Sequence, residues 1–186
     1  MKKIIESSIA IVCLAVLTAC SGGGIGGGSA TPQENIVGKW KSQNSKTELG
    51  GKIETTINLD MKADKTMSMD LEAVLDGEQK GIKMKIPMSM GFDGKWDATS
   101  DKVVWTPDTA TSHFSVNKDS IVLELKDSKL NALANMVKDM LADELAKSRK
   151  SKMMINYAPK DSMSYFFDNS DLVIVSGNDT LRFKKN

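Results

Sequence analysis

The stretch Ile82-Lys83-Met84-Lys85-Ile86-Pro87-Met88-Ser89-Met90-Gly91-Phe92 carries a large apolar side chain at every second position, with lysine, proline, serine or glycine between. Successive side chains of a β-strand point to opposite faces, so a period of two marks a strand with one buried face. The phase runs on through Trp96 and Ala98. A strand from Ile82 to Ala98 exceeds ordinary strand lengths, which predicts a bend or bulge near Gly91 or Gly94.

The same alternation extends upstream. Met67, Met69, Leu71, Ala73 and Leu75 share a face against Ser68, Asp70 and Glu72, and Ile53, Ile57, Leu59 and Met61 do so against Glu54, Thr56, Asn58 and Asp60. Short connectors at 62–65, 76–81, 99–101, 117–120, 168–170 and 176–179 join such runs, as loops between antiparallel neighbours do. Further strands are predicted over 102–106, 111–116, 121–125, 155–157, 162–167, 172–175 and 180–184. A mainly β meander of about ten strands or more with one apolar face is most simply closed into an antiparallel β-barrel, because closure removes exposed edges.

One segment follows another period. Leu130, Leu133, Ala134, Val137, Met140, Leu141 and Leu145 recur at spacings of three and four, with Asn131, Asn135, Lys138, Asp139 and Lys147 opposite them. This predicts a long amphipathic helix from Ser128 to about Arg149, inserted before the last strands. Asp127 or Ser128 can cap its start, and Lys147, Arg149, Lys150 and Lys152 suit the negative end of its dipole. Its apolar stripe needs a wall, which favours packing on the outside of the barrel over closing a mouth as a lid.

The first residues have a different character. Lys2 and Lys3 precede a mostly apolar run from Ile9 to Leu17 that is too short to span a membrane core needing about 20 residues. Leu17-Thr18-Ala19-Cys20 resembles the lipobox of bacterial lipoproteins. The resemblance implies cleavage before Cys20, lipid on its thiol and a further acyl chain on the freed amino group. Residues 1–19 are then a signal peptide, residues 20–35 a lipidated cysteine and a Gly-rich tether, and residues 36–186 the barrel domain. With six glycines between Gly22 and Gly28, the tether is too poor in apolar residues to fold. By the same resemblance, Ser21 after the cysteine favours the outer membrane, and the lack of an acidic cluster there favours its periplasmic side.

Removing residues 1–19 from 186 leaves 167, enough for one domain with a sizeable core. Cys13 leaves with the signal and Cys20 is acylated, so disulfides, cysteine catalysis and thiolate metal sites are excluded. The signal takes two of 25 basic residues and one of 24 acidic ones, and the remainder balances at 23 each. A neutral chain offers no electrostatic case for nucleic acid.

The residues point away from an enzyme. His113 is the only histidine, out of phase with Phe114 and Val116, which places it on the solvent side of a strand. A multi-histidine metal site is therefore impossible. The chain has no Gly-x-Ser-x-Gly elbow and no phosphate-binding glycine loop between a strand and a helix. Carboxylates such as Glu54, Asp60, Asp70 and Glu72 fall on polar strand faces. No cofactor is expected.

Methionine is the unusual residue, 12 in all, six of them between Met61 and Met90 on the apolar faces of successive strands. Met67-Ser68-Met69 and Met88-Ser89-Met90 have the spacing of Cu(I) thioether pairs, but any methionine-rich strand face produces it. A pliable, polarizable wall is the favoured reading. Met67, Met69, Leu71, Met84, Ile86, Met88 and Met90 are expected to share one interior as a ligand-binding surface. A modest cavity is expected beside Met69, Met84, Ile86 and Met88, covered by Leu133, Val137 and Leu141.

Gly38-Lys39-Trp40 resembles the Gly-x-Trp of the first strand in the lipocalin and wider calycin family, and Gly94-Lys95-Trp96 repeats it. In that family the tryptophan plugs one barrel end and an arginine near the final strand packs across it, which implies an end-packing pair of Trp40 and Arg182. The chain is most similar to small lipocalin-like lipoproteins of Gram-negative envelopes, departing from them in its helix and its lack of a disulfide. The resemblance implies a monomeric, non-catalytic protein, anchored through Cys20, that binds a small apolar or lipid-like molecule. Two alternatives are a lipid or lipoprotein carrier with a helical lid and a filled barrel acting through its outer surface.

Overall fold

The computed structural model describes residues 35–48, 51–79, 82–125, 134, 136–143, 162–177 and 179–186. The signal expected over residues 1–19, all of the tether expected over 20–35 except Asn35, the strand expected over 155–157 and both ends of the expected helix lie outside the described residues.

The alternating stretches form four long strands: β1 (Gly38–Glu48), β2 (Gly51–Met61), β3 (Thr66–Gln79) and β4 (Ile82–Ala98). They pair antiparallel without interruption over 11, 11 and 14 residue pairs for β1–β2, β2–β3 and β3–β4. An uninterrupted ladder carries one in-out phase across the strands it joins, so the apolar residues of β2, β3 and β4 all reach the same face.

The remaining strands are shorter: β5 (Lys102–Pro107), β6 (His113–Val116), β7 (Val122–Leu125), β8 (Met163–Asp168), β9 (Asp171–Ser176) and β10 (Asp179–Lys185). The order β1-β2-β3-β4-β5-β8-β9-β10 closes on itself as an eight-stranded antiparallel barrel. Ten strands are described, as the sequence suggests, but only eight belong to the ring. Its two narrowest seams are β5–β8, joined at Lys102↔Ser164 and Val103↔Met163, and β1–β10, joined at Trp40↔Lys185 and Lys41↔Lys184.

The other two strands continue β5 along β4. Gly94 faces Pro107, while Gly91 faces His113, so three steps along β4 correspond to six on its partner. The same count separates Met88↔Val116 from Lys85↔Val122. Each interruption therefore adds three residues, an odd number that reverses the in-out phase. Val103 and Trp105 face inward on β5, Phe114 and Val116 on β6, and Leu123 on β7. Without the first insertion, His113 and Ser115 would have pointed into the core.

The irregularity expected near Gly91 or Gly94 thus occurs at that level but between the neighbouring strands β5 and β6, because β4 keeps its register with β3 throughout. Gly91 permits the close approach. A Cβ there would meet Asp70 Oδ1, His113 Cε1 and Met69 O, each at 2.7 Å.

Residues 136–143 are helical, with Leu141 and Ala142 in the same buried cluster as the inward strand residues and Met136 and Met140 exposed. This differs from packing on the barrel's outside. The physical reason is that β2, β3 and β4 run beyond the short strands β8–β10 and carry an apolar inner face that must be covered.

Candidate functional site

The interior has two regions of different build. At the closed end, Trp40 and Trp96 are both buried, and both indole N–H groups are satisfied by backbone: Trp40 Nε1 donates to Ile36 O at 2.8 Å and Trp96 Nε1 to Lys62 O at 3.1 Å. The carbonyl of Lys62 belongs to the β2–β3 turn, where Lys65 has a left-handed φ of 68° and Asp64 accepts from the Thr66 amide and hydroxyl. Lys65 Nζ lies 4.1 Å from the Trp96 ring centroid, and Lys185 Nζ lies 5.4 Å from that of Trp40. The two Gly-Lys-Trp triplets are thus built alike, each with a carbonyl-bonded indole under a lysine.

Arg182 is placed elsewhere. Phe183, its neighbour, is wholly buried, so alternation turns Arg182 to the outer face. There it donates to Asp168 Oδ2 at 2.6 Å and Asp171 Oδ2 at 3.1 Å, and these bonds, that to Asp168 first, raise its pKa. The cation over Trp40 is Lys185, from the end of the same strand. Phe167 packs against Trp40 with ring centroids 6.0 Å apart, and Tyr165 meets Phe167 edge-on. The Tyr165 hydroxyl donates to Thr99 O at 2.8 Å, and burial raises its pKa.

The methionine wall starts at the level of this plug, where Met67 faces Gly94, and runs away from it along β3 and β4. Met67, Met69 and Leu71 on β3 and Ile86, Met88 and Met90 on β4 are buried in one cluster, with Met84 partly buried against it. Ser68 and Ser89 occupy the alternate phase, and the Ser89 and Ser115 hydroxyls meet on the outer side at 2.7 Å. By register Leu71 faces Met90 and Ala73 faces Met88, while Met67 and Met69 face Gly94 and Phe92. The two Met-x-Met pairs are therefore staggered along the sheet rather than opposed, a poor arrangement for one copper ion. Of the proposed cover, Leu141 reaches the cluster; Val137 is half-buried, and Leu133 lies outside the described residues.

Two places from β3 in the ring order, beyond β2, the inner phase of β1 continues from Trp40 into Ser42, which is 1% exposed, and Asn44, whose amide donates to Ser42 Oγ at 3.1 Å. The interior is thus sided, with thioethers and branched aliphatics on β3–β4 and short polar groups on β1. Sequence alternation from Trp40 points to Ser42 and Asn44, but their polarity reads there as a solvent face. Only their register with the inward residues of β2, Ser42 facing Ile57, makes them interior.

Within the buried cluster, the polar hydrogens of Trp40, Trp96 and Tyr165 all go to backbone carbonyls. His113 is exposed. Among the described residues there is no group of three or more histidine, cysteine or acidic side chains that could hold a metal ion, and no helix is long and apolar enough to cross a membrane. The buried cluster is held together by dispersion and burial of apolar surface.

These features define a closed eight-stranded antiparallel β-barrel with a tryptophan-plugged end, a class compatible with a lipocalin-like fold. Neither a protein-family model nor a curated protein matches the chain.

Proposed function

We propose that the chain is a lipocalin-like envelope lipoprotein, anchored to the membrane by lipid on Cys20, whose barrel binds a small apolar or lipid-like ligand without catalysis. The observation that carries the reading is the convergence of Met67, Met69, Leu71, Met84, Ile86, Met88 and Met90 on one interior surface. Methionine adapts its shape to a varied partner at small cost, a property with more use in a binding wall than in a permanent core. An eight-stranded ring is wide enough to be filled by its own side chains or to hold one small ligand. The ligand is therefore small.

The Leu17-Thr18-Ala19-Cys20 sequence supports the lipid anchor, and Ser21 supports the outer membrane, periplasmic side. The barrel acts as a monomer, requires no cofactor and does not contact nucleic acid. A carrier with a helical lid is a second reading, favoured by Leu141 and Ala142 joining the interior cluster. Copper held by thioethers is disfavoured by the stagger of the two methionine pairs.

Displacement of an apolar fluorescent dye by fatty acids and other apolar molecules tests the reading. Met69→Trp and Met88→Trp, which fill the interior, are expected to abolish binding. Unchanged binding in both variants transfers the function to the outer surface of a filled barrel. Labelling with palmitate that depends on Cys20 tests the anchor separately.

A further inference from the structure

Trp105 differs from the other two tryptophans. It is 8% exposed, its inward phase on β5 pairs it with Trp96 at the plugged end of the interior, and it belongs to the apolar cluster that plug and methionine wall share. Its Nε1 is buried with no acceptor among the described residues. A buried N–H without an acceptor costs about 1–3 kcal/mol, so native proteins almost always satisfy it. Phenylalanine would fill much of the same apolar space without the donor. The cluster's other indole and hydroxyl donors are already bonded to Ile36, Lys62 and Thr99 carbonyls.

From this we infer that Trp105 is a polar anchor of the interior site, donating from Nε1 to the neutral carbonyl of an apolar ligand such as an acyl ester. The acceptor is neutral because no lysine or arginine belongs to the described buried cluster. An ionised carboxylate placed there would lose its hydration without a counter-charge, a far larger penalty than that of a carbonyl. The inference rests on the proposed ligand-binding reading and adds to it which part of the ligand is recognised, and by which atom.

The test compares hexadecane, methyl palmitate and palmitate at neutral pH on the processed chain stripped of co-purifying lipid. Methyl palmitate is expected to bind more tightly than either of the others. In Trp105→Phe, the ratio of methyl palmitate to hexadecane affinity is expected to fall about five-fold, the worth of one ordinary hydrogen bond. A second readout needs only the wild-type protein. Of the three indole N–H signals in a nitrogen-15 spectrum, that of Trp105 is expected to move downfield with methyl palmitate and to stay in place with hexadecane. An unmoved indole, or an unchanged ratio in the variant, overturns the anchor while leaving apolar binding intact. Tighter binding of palmitate than of its methyl ester overturns the neutral acceptor. Failure of all three molecules to bind removes the ligand-binding reading itself.

Discussion

Two regions of the barrel interior solve the same packing problem with different side chains. The closed end uses rings: Trp40, Trp96, Tyr165, Phe167 and Phe183 interlock, and the polar hydrogens of the two indoles and of Tyr165 are fixed to backbone carbonyls. The wall of β3 and β4 instead uses Met67, Met69, Met84, Met88 and Met90, which carry no donor and rotate about three bonds. A ring held by a directional bond has one good position, whereas a thioether chain has several of similar energy. The difference teaches that the fold is specified at the plug and that adaptability is concentrated in the wall.

The largest expected effect lies at the plug. Trp40→Ala removes a buried ring together with its bond to Ile36, and is expected to lower unfolding free energy by about 3–5 kcal/mol in denaturant titrations. A loss near 1 kcal/mol would mean that the plug is as adaptable as the wall. Next in size is Gly91→Ala, where two of the three atoms 2.7 Å from the new Cβ are a backbone oxygen and a ring carbon. Overpacking there is expected to cost about 1–3 kcal/mol, although alanine is otherwise harmless in a strand. Stability equal to wild type would show that β6 can move away from β4.

Within the wall the expected change is smaller. Met88→Leu conserves volume and keeps the apolar phase, so it is expected to cost less than about 1.5 kcal/mol. A cost comparable to that of Trp40→Ala would erase the contrast between the two regions. The smallest effect separates two of the cations of β10, Lys185 and Arg182. Lys185→Gln is expected to shift the indole signal of Trp40, because Lys185 Nζ lies over that ring, while Arg182→Gln leaves the signal in place, because Arg182 is bound to Asp168 and Asp171. The reverse pattern would restore the Trp40–Arg182 packing implied by the lipocalin resemblance.

Arg182 shows how a resemblance at the level of motifs can miss the phase of a strand. Its position near the final strand suits an end-packing arginine, yet Phe183 is the residue whose burial sets the phase, and the neighbours of a buried strand residue face out. Trp105 was readable as an inward residue from its alternation with Val103, but its lack of an acceptor was not, because hydrogen-bond partners in a barrel come from distant strands. The number of strands in the ring was hidden for a related reason. The segments around His113 and Val122 have strand patterns of their own, and nothing local shows that they extend the edge begun by β5 rather than taking separate places in the barrel.

Sequence by itself determined the β class, the antiparallel order of the long strands, and the shared inward phase of Met67 through Met90, since a period of two acts through neighbouring residues and short turns leave few alternatives. Tertiary structure decided the rest: closure at eight strands, the phase reversals at 108–112 and 117–121, the lysine over Trp40, the polar groups of β1 turned inward, and the helix drawn to the interior. Each of these depends on which distant segment lies opposite, and the energy of a buried side chain is set by that partner.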